Sequence, residues 1–265
     1  MTAVVFDSGL GGLTVLREIR ARMPDRPLVY VADTAVFPYG ELPADVIRER
    51  VTAVIGAAIE AYRPDAVVIA CNTASTLVLP VLRARFAVPF VGTVPAIKPA
   101  AERSRSRLVS VLATPGTVAR DYTRELIATH GRDCRFTLVG ARRLAGLAEA
   151  ALSGTAVADE AIAAEIAPCF VEEGGRRTDT IVLACTHYPL LIERLRGLAP
   201  WPVDWIDPAP AIARRLDAVL GGAAPAGIMK GPVFLHTGGA PARSVLERFG
   251  FVAARPLGLP APVLG

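Results

Sequence analysis

The sequence predicts an α/β protein with mostly parallel sheets, organised as two pseudo-symmetric α/β lobes, and three observations carry that reading. Short apolar runs alternate with longer amphipathic ones along the chain, the pattern of strands joined by crossover helices. The run Asp65-Ala-Val-Val-Ile-Ala-Cys71 is echoed 114 residues later by Asp179-Thr-Ile-Val-Leu-Ala-Cys185. A second echo, 107 residues apart, pairs Val5-Phe-Asp-Ser-Gly9 with Leu112-Ala-Thr-Pro-Gly116. Two echoes at similar offsets point to two related units.

Strands are expected at Ala3–Phe6, Leu28–Val31, Ala66–Ala70, Leu108–Leu112, Phe136–Val139, Thr180–Ala184, Val203–Ile206 and Pro232–Leu235. The clearest helix is Pro43–Tyr62, with Ile47, Val51, Val54, Ala58 and Tyr62 on one stripe. Pro43 suits its first turn, and Pro64 lies just past its end. Ligands of such sheets sit beyond the carboxyl ends of the strands. The candidate functional residues are therefore Asp7-Ser8-Gly9, Asp33-Thr34, Cys71-Asn72-Thr73, Thr114-Pro115-Gly116-Thr117 and Cys185-Thr186-His187.

Composition removes several classes. At 265 residues, 52% hydrophobic and 20% charged, the chain can bury a full core and is no disordered polymer. Mean hydropathy is +0.41, yet the longest charge-free run, Ala66 to Leu82, is 17 residues and carries Asn72, Ser75 and Pro80. A spanning helix needs about 20 mostly apolar residues, so no membrane partner is expected. The amino terminus has no signal-peptide pattern, and the expected location is the cytoplasm. Net charge is +4, but the densest basic cluster, Arg103/Arg105/Arg107, alternates with serine and reads as a solvated strand entry. Nucleic acid is not an expected partner. Of 29 basic residues only Lys98 and Lys230 are lysine, and Lys98 lies in a turn-like stretch, which disfavours a Schiff-base cofactor.

Cys71, Cys134, Cys169 and Cys185 form no close pair, and His130, His187 and His236 are scattered, so neither zinc nor a disulfide framework is expected. Cys169 falls on a helical stripe with Ile162, Ile166 and Phe170 and reads as core; Cys134 has no evident partner. Cys71 and Cys185 differ, because each ends an apolar strand in one of the echoing units. A helix amino terminus beside each would stabilise the thiolate and lower its pKa from about 8.5. Two thiols facing one pocket suit stereoinversion at carbon, one removing a proton and the other returning it from the far side. The intervening carbanion needs fixed dipoles and exclusion of water, and anionic groups would be held at helix starts. Gly9-Leu-Gly-Gly-Leu-Thr14 lacks the last glycine of a dinucleotide fingerprint, and no P-loop or nucleophile elbow occurs.

Phe6-Asp-Ser-Gly-Leu-Gly-Gly-Leu-Thr14, Ala32-Asp-Thr-Ala-Val-Phe-Pro-Tyr-Gly40, Ala70-Cys-Asn-Thr-Ala-Ser75 and Ala184-Cys-Thr-His-Tyr-Pro-Leu190 together resemble the glutamate racemases of the aspartate/glutamate racemase superfamily. The resemblance covers nearly the whole chain. It implies a homodimeric isomerase that interconverts L- and D-glutamate without a cofactor or metal, supplying D-glutamate for peptidoglycan and so for the cell wall and cell shape. It also implies an active site in the cleft between a first lobe of residues 1–95 plus 208–265 and a second of 96–207. By matching position Cys71 acts on the D-enantiomer with Asp7 assisting, and Cys185 on the L-enantiomer with His187 and Glu149 assisting. Asp7, Ser8, Tyr39, Gly40, Asn72, Thr73, Thr114, Thr117, Thr186 and His187 bind substrate. Departures are Val36, where the family usually has arginine, the surroundings of Glu149, and Phe234-Leu-His-Thr-Gly-Gly239. By the same resemblance, the short segment before the first strand disfavours the subgroup activated by a nucleotide wall precursor. The alternatives are a racemase of another acidic amino acid such as aspartate, or a silent amino-acid-binding protein on the same scaffold.

Overall fold

The computed structural model describes residues 1–221 and 231–259. Lys230, with 222–230 and 260–265 of the expected first lobe, lies outside them. In chain order the strands are β1 Ala3–Asp7, β2 Leu28–Ala32, β3 Ala66–Ile69, β4 Phe90–Gly92, β5 Leu108–Ala113, β6 Arg135–Gly140, β7 Glu172–Glu173, β8 Arg176–Arg177, β9 Thr180–Ala184, β10 Asp204–Ile206, β11 Val233–His236 and β12 Ala254–Pro256. The helices are α1 Leu13–Arg22, α2 Ala44–Tyr62, α3 Asn72–Arg85, α4 Ile97–Arg103, α5 Pro115–Val118, α6 Asp121–His130, α7 Leu144–Leu152, α8 Asp159–Ile166, α9 Ile192–Leu198, α10 Ala209–Leu220 and α11 Arg243–Arg248. All eight expected strands form. β4, β12 and the β7–β8 hairpin escape a reading based on apolar runs, whereas β10, equally short, is found because Val203, Trp205 and Ile206 give it one.

The strands build two parallel sheets, ordered β12-β11-β2-β1-β3-β4 and β10-β9-β5-β6; β7 and β8 pair antiparallel. Every residue of β1, β2, β3, β5 and β9 is buried, as strands covered by helices on both faces must be. The internal echoes have a topological counterpart. β1 pairs with β3 as β5 pairs with β9; β2 and β6 flank β1 and β5, and β4 and β10 flank β3 and β9. The order β4-β3-β1-β2 therefore repeats as β10-β9-β5-β6, and β11 and β12 extend the first sheet alone. The two aspartates that open the echoing strands also act alike. Asp65 accepts the Thr2 N–H at 2.6 Å, ahead of β1. Asp179 accepts the Arg105 and Ser106 N–H groups at 2.7 and 2.8 Å, ahead of β5. The arginine–serine stretch is thus a strand entry held by a carboxylate.

α2 buries Ile47, Val51, Val54 and Ala58 as its spacing requires, with Ile55 beside them. Arg63 ends it in the left-handed region at φ 43°, its N–H donated to Ile59 O, just before Pro64. Cys169 is fully buried in the second sheet's core with Ile162 and Ile166. Lys98 corrects an expectation: it lies in the first turn of α4, not in a turn. Pro99 fits there because first-turn N–H groups have no helical acceptor to lose.

Burial works against the Asp179 carboxylate, but hydrogen bonds from Ser106, Ser104, Arg105 and Thr180 outweigh it and hold the group below the usual carboxylate range. A depressed folded pKa contributes stability that is complete above the unfolded value and lost as pH falls through the folded one. Asp179→Asn should therefore melt lower than the parent at pH 6, with the gap closing as both are acidified. Thermal melts at stepped pH read this directly, and a gap that widened in acid would contradict it.

Candidate active site

Each thiol sits where a parallel strand stops. Cys71 is the N-cap of α3 in an extended conformation (φ −64°, ψ 119°), its Sγ accepting the Ala74 N–H at 3.5 Å and lying 3.6 Å from Ser8 Oγ. The helix amino terminus was expected to lower its pKa; the structure reverses that. Burial and the nearby Asp7 charge push the Cys71 thiol up to about 12, and the Ala74 N–H and Ser8 hydroxyl only partly offset them. Cys71 therefore keeps its proton at neutral pH. At Cys185 the expected helix terminus is itself missing. Cys185 is followed by Thr186 and His187 and a 3-10 turn at Tyr188–Leu191, so α9 begins too late to cap it. A ring nitrogen takes the helix terminus's place, with His187 Nδ1 at 3.7 Å from Sγ.

His187 is almost wholly buried, and Glu149 Oε1 lies 2.8 Å from its Nε2. Burial disfavours the charged ring, but the hydrogen bonds to Cys185 and Glu149 prevail and raise its pKa well above the imidazole range. In that form Nε2–H is donated to Glu149 and Nδ1–H points at the Cys185 sulfur. The Gly11 N–H also lies 3.2 Å from Nε2. That contact serves the ring only when Nε2 has lost its proton, so either state of Nε2 has a partner. The Leu10 N–H is donated to Glu149 Oε1 at 2.7 Å. This approach requires missing side chains: a Cβ on Gly9 would stand 2.1 Å from Glu149 Oε1, and one on Gly11 2.4 Å from His187 Nδ1.

Asp7 is fully buried at the end of β1 and makes no hydrogen bond to Cys71. It accepts the Gly9 N–H and the Thr186 hydroxyl, each at 3.0 Å, the second from the other sheet. Burial raises its pKa against the opposing charge of His187 and these donors. Tyr30 donates its hydroxyl to Gly9 O at 2.8 Å and steadies the same turn.

Between the two strand ends lies a cavity of about 20 Å³, lined by Ser8, Phe37, Pro38, Tyr39, Gly40, Cys71, Asn72, Thr73, Thr114, Ala145, Cys185, Thr186 and His187. Most expected site residues thus meet at one place, while Asp7, Glu149 and Thr117 stand behind the lining. Asn72 is buried with neither side-chain nitrogen nor oxygen hydrogen-bonded, a cost that a polar ligand in the cavity would remove. The Thr73, Thr114 and Thr117 hydroxyls bond one another at 2.9 to 3.2 Å and form a donor cluster at one end. Val36, at the position of the family's arginine, packs on the first sheet's core outside the lining. Phe37, Pro38 and Ala145 line the cavity without any chemical signature in the sequence. A larger cavity, about 630 Å³ between α4, α6 and α10, contains no thiol.

Comparison with known proteins gives the chain a family. The sequence model of the Asp/Glu/Hydantoin racemase family matches residues 13–216. The chain belongs to this racemase family. Glutamate racemase of Brucella anthropi is 61% identical over 218 residues, 82% of this racemase and 78% of that protein. The Brucella ovis glutamate racemase is 60% identical over 82% and 79%. The crystal structure of Escherichia coli glutamate racemase with L-glutamate and the activator UDP-MurNAc-ala matches with a TM-score of 0.90 at 41% identity, over 98% of each chain. That of the Thermus thermophilus enzyme with β-chloro-D-alanine matches at 0.75 and 29%, over 97% of each.

Because Glu149 is one of the groups that hold the charge on His187, Glu149→Gln should move the ring's titration midpoint down. Following the His187 C2 proton by NMR tests this; a midpoint unchanged by the substitution would remove Glu149 from the pair.

Proposed function

We propose that this racemase interconverts L- and D-glutamate in a two-base reaction without a cofactor, Cys71 and Cys185 being the two bases. One observation carries the reading: thiols from the equivalent ends of β3 and β9 border a single cavity, each beside a different acid or base.

In the L-to-D direction Cys185 removes the α-proton. The proton its own thiol must first give up belongs on His187 Nδ1, and Glu149 stabilises the charged ring from the other side. The carbanion then takes a proton on its opposite face from Cys71, which its environment keeps as a thiol. In the D-to-L direction the roles exchange, and Asp7 assists Cys71. Fixed dipoles at the strand ends stabilise the carbanion, and a cavity of about 20 Å³ leaves little room for solvent beside it. Asn72, Ser8 and Thr186 offer partners to the α-substituents. The Thr73 and Thr114 hydroxyls, held from behind by Thr117 and with Tyr39 and Gly40 opposite, receive the distal carboxylate.

A cavity of about 20 Å³ accommodates little more than one water. The lobes, residues 1–95 with 208–265 and residues 96–207, therefore part to admit an amino acid and close over it. The product serves peptidoglycan synthesis in the cytoplasm, and the working form is a homodimer.

Cys71→Ala and Cys185→Ala should each lower racemisation by at least about a hundredfold, the scale of a lost acid or base. In heavy water Cys71→Ala should still exchange the α-proton of L-glutamate, and Cys185→Ala that of D-glutamate. Circular dichroism reports the first effect and proton NMR the second. If both single variants racemised at the parent rate, the two-thiol reaction would be wrong.

A further inference from the structure

Behind the pocket wall lies a buried charge that the proton transfers do not use. Asp33, at the end of β2, is fully buried, and its carboxylate collects side chains from three separate parts of the fold. Arg50 on α2 grips it as a fork, with Nε 3.2 and 3.0 Å from Oδ1 and Oδ2 and an amino nitrogen 2.7 Å from Oδ1. Thr237, just past β11, donates its hydroxyl to Oδ1 at 2.5 Å. Tyr39 donates its hydroxyl to Oδ2 at 2.5 Å. Only Tyr39 of these partners lines the cavity.

The wall that Tyr39 belongs to has no slack. Gly40 lies so close to the second sheet that a Cβ on it would stand 2.9 Å from Thr114 Cβ. Thr114 belongs to the hydroxyl cluster at the cavity's end. The distance between wall and cluster is thus set on one side by contact with Thr114 and on the other by Asp33. An uncompensated buried carboxylate would not stay in place, so its hold on Tyr39 depends on Arg50.

We infer that Arg50 and Thr237 are positioning residues for substrate: through Asp33 they fix Tyr39 and so set the width of the pocket opposite the threonine cluster. This rests on the proposed racemisation of glutamate for its substrate, and on the hydrogen-bond geometry alone for its mechanics. Neither residue touches the reacting atoms. Their loss weakens binding of the ground state and the transition state alike, which raises KM more than it lowers kcat.

The test uses Arg50→Met, Arg50→Lys and Thr237→Val in the full chain. Arg50→Met should raise KM for L-glutamate about tenfold with a smaller fall in kcat, and Thr237→Val about twofold to threefold. Arg50→Lys should recover part of the loss, since an ammonium replaces the charge but not the fork. Deuterium exchange at the Leu42 amide, which bonds Tyr39 O at 3.2 Å, should accelerate about tenfold in Arg50→Met while β3 amides keep parent rates. A folded Arg50→Met with parent KM and parent exchange would overturn the inference. If that variant does not fold, Thr237→Val and Tyr39→Phe decide by the same two readouts. A parent protein that failed to racemise glutamate would overturn the reaction instead, and the exchange rates would still judge the positioning.

Discussion

The site depends on how closely one turn approaches its neighbour. After β1 the chain runs through Gly9 and Gly11, and the space their side chains would take is filled by Glu149 of α7 and by His187 just past β9. Backbone N–H groups of Leu10 and Gly11 then reach those two side chains, while Thr186 reaches back to Asp7. Thr14, in the first turn of α1, adds a hydroxyl to Thr186 O at 3.1 Å. The polar groups beside each thiol are thereby held partly from the opposite side of the cavity. Separation of the two sides would undo several of these bonds together, so the protonation of His187 and Asp7 depends on one contact surface.

Burial and pairing are in balance around this contact. Burial raises Asp7 and Cys71, and each finds only partial compensation, which leaves Cys71 protonated. His187 goes the other way, because Glu149 and Cys185 stabilise its charged form more than burial opposes it. The thiols come from equivalent strand ends and meet unlike surroundings. That asymmetry suits a reaction in which one group must begin as donor while the other begins as acceptor. Asp33 is buried as deeply as Asp7, yet Arg50, Tyr39 and Thr237 surround it, and its consequence is mechanical rather than chemical.

Much of this was legible in the residues. Apolar runs located the principal strands, because a parallel strand covered on both faces must be apolar throughout. The echoes around Cys71 and Cys185 reflect a real repetition of strand order. Resemblance to known motifs named most of the residues that meet at the cavity. Other features left no local trace. β4, β7, β8 and β12 are too short to show a pattern, Arg50 is one arginine among the many in the chain, and Thr237 lies some two hundred residues from the carboxylate it serves.

By itself the sequence determined the α/β class, the pairing of two units, and which thiols and hydroxyls sit at strand ends. Those properties follow from periodicity and from short stretches of chain. Only the tertiary structure decided the protonation of Cys71, the ring nitrogen at Cys185 in place of a helix terminus, and the Asp33 cluster behind Tyr39. A pKa depends on burial and on charges brought from distant positions, and a hydrogen-bond network depends on the packing that brings its members together. Neither is a property of residues that are neighbours in the chain.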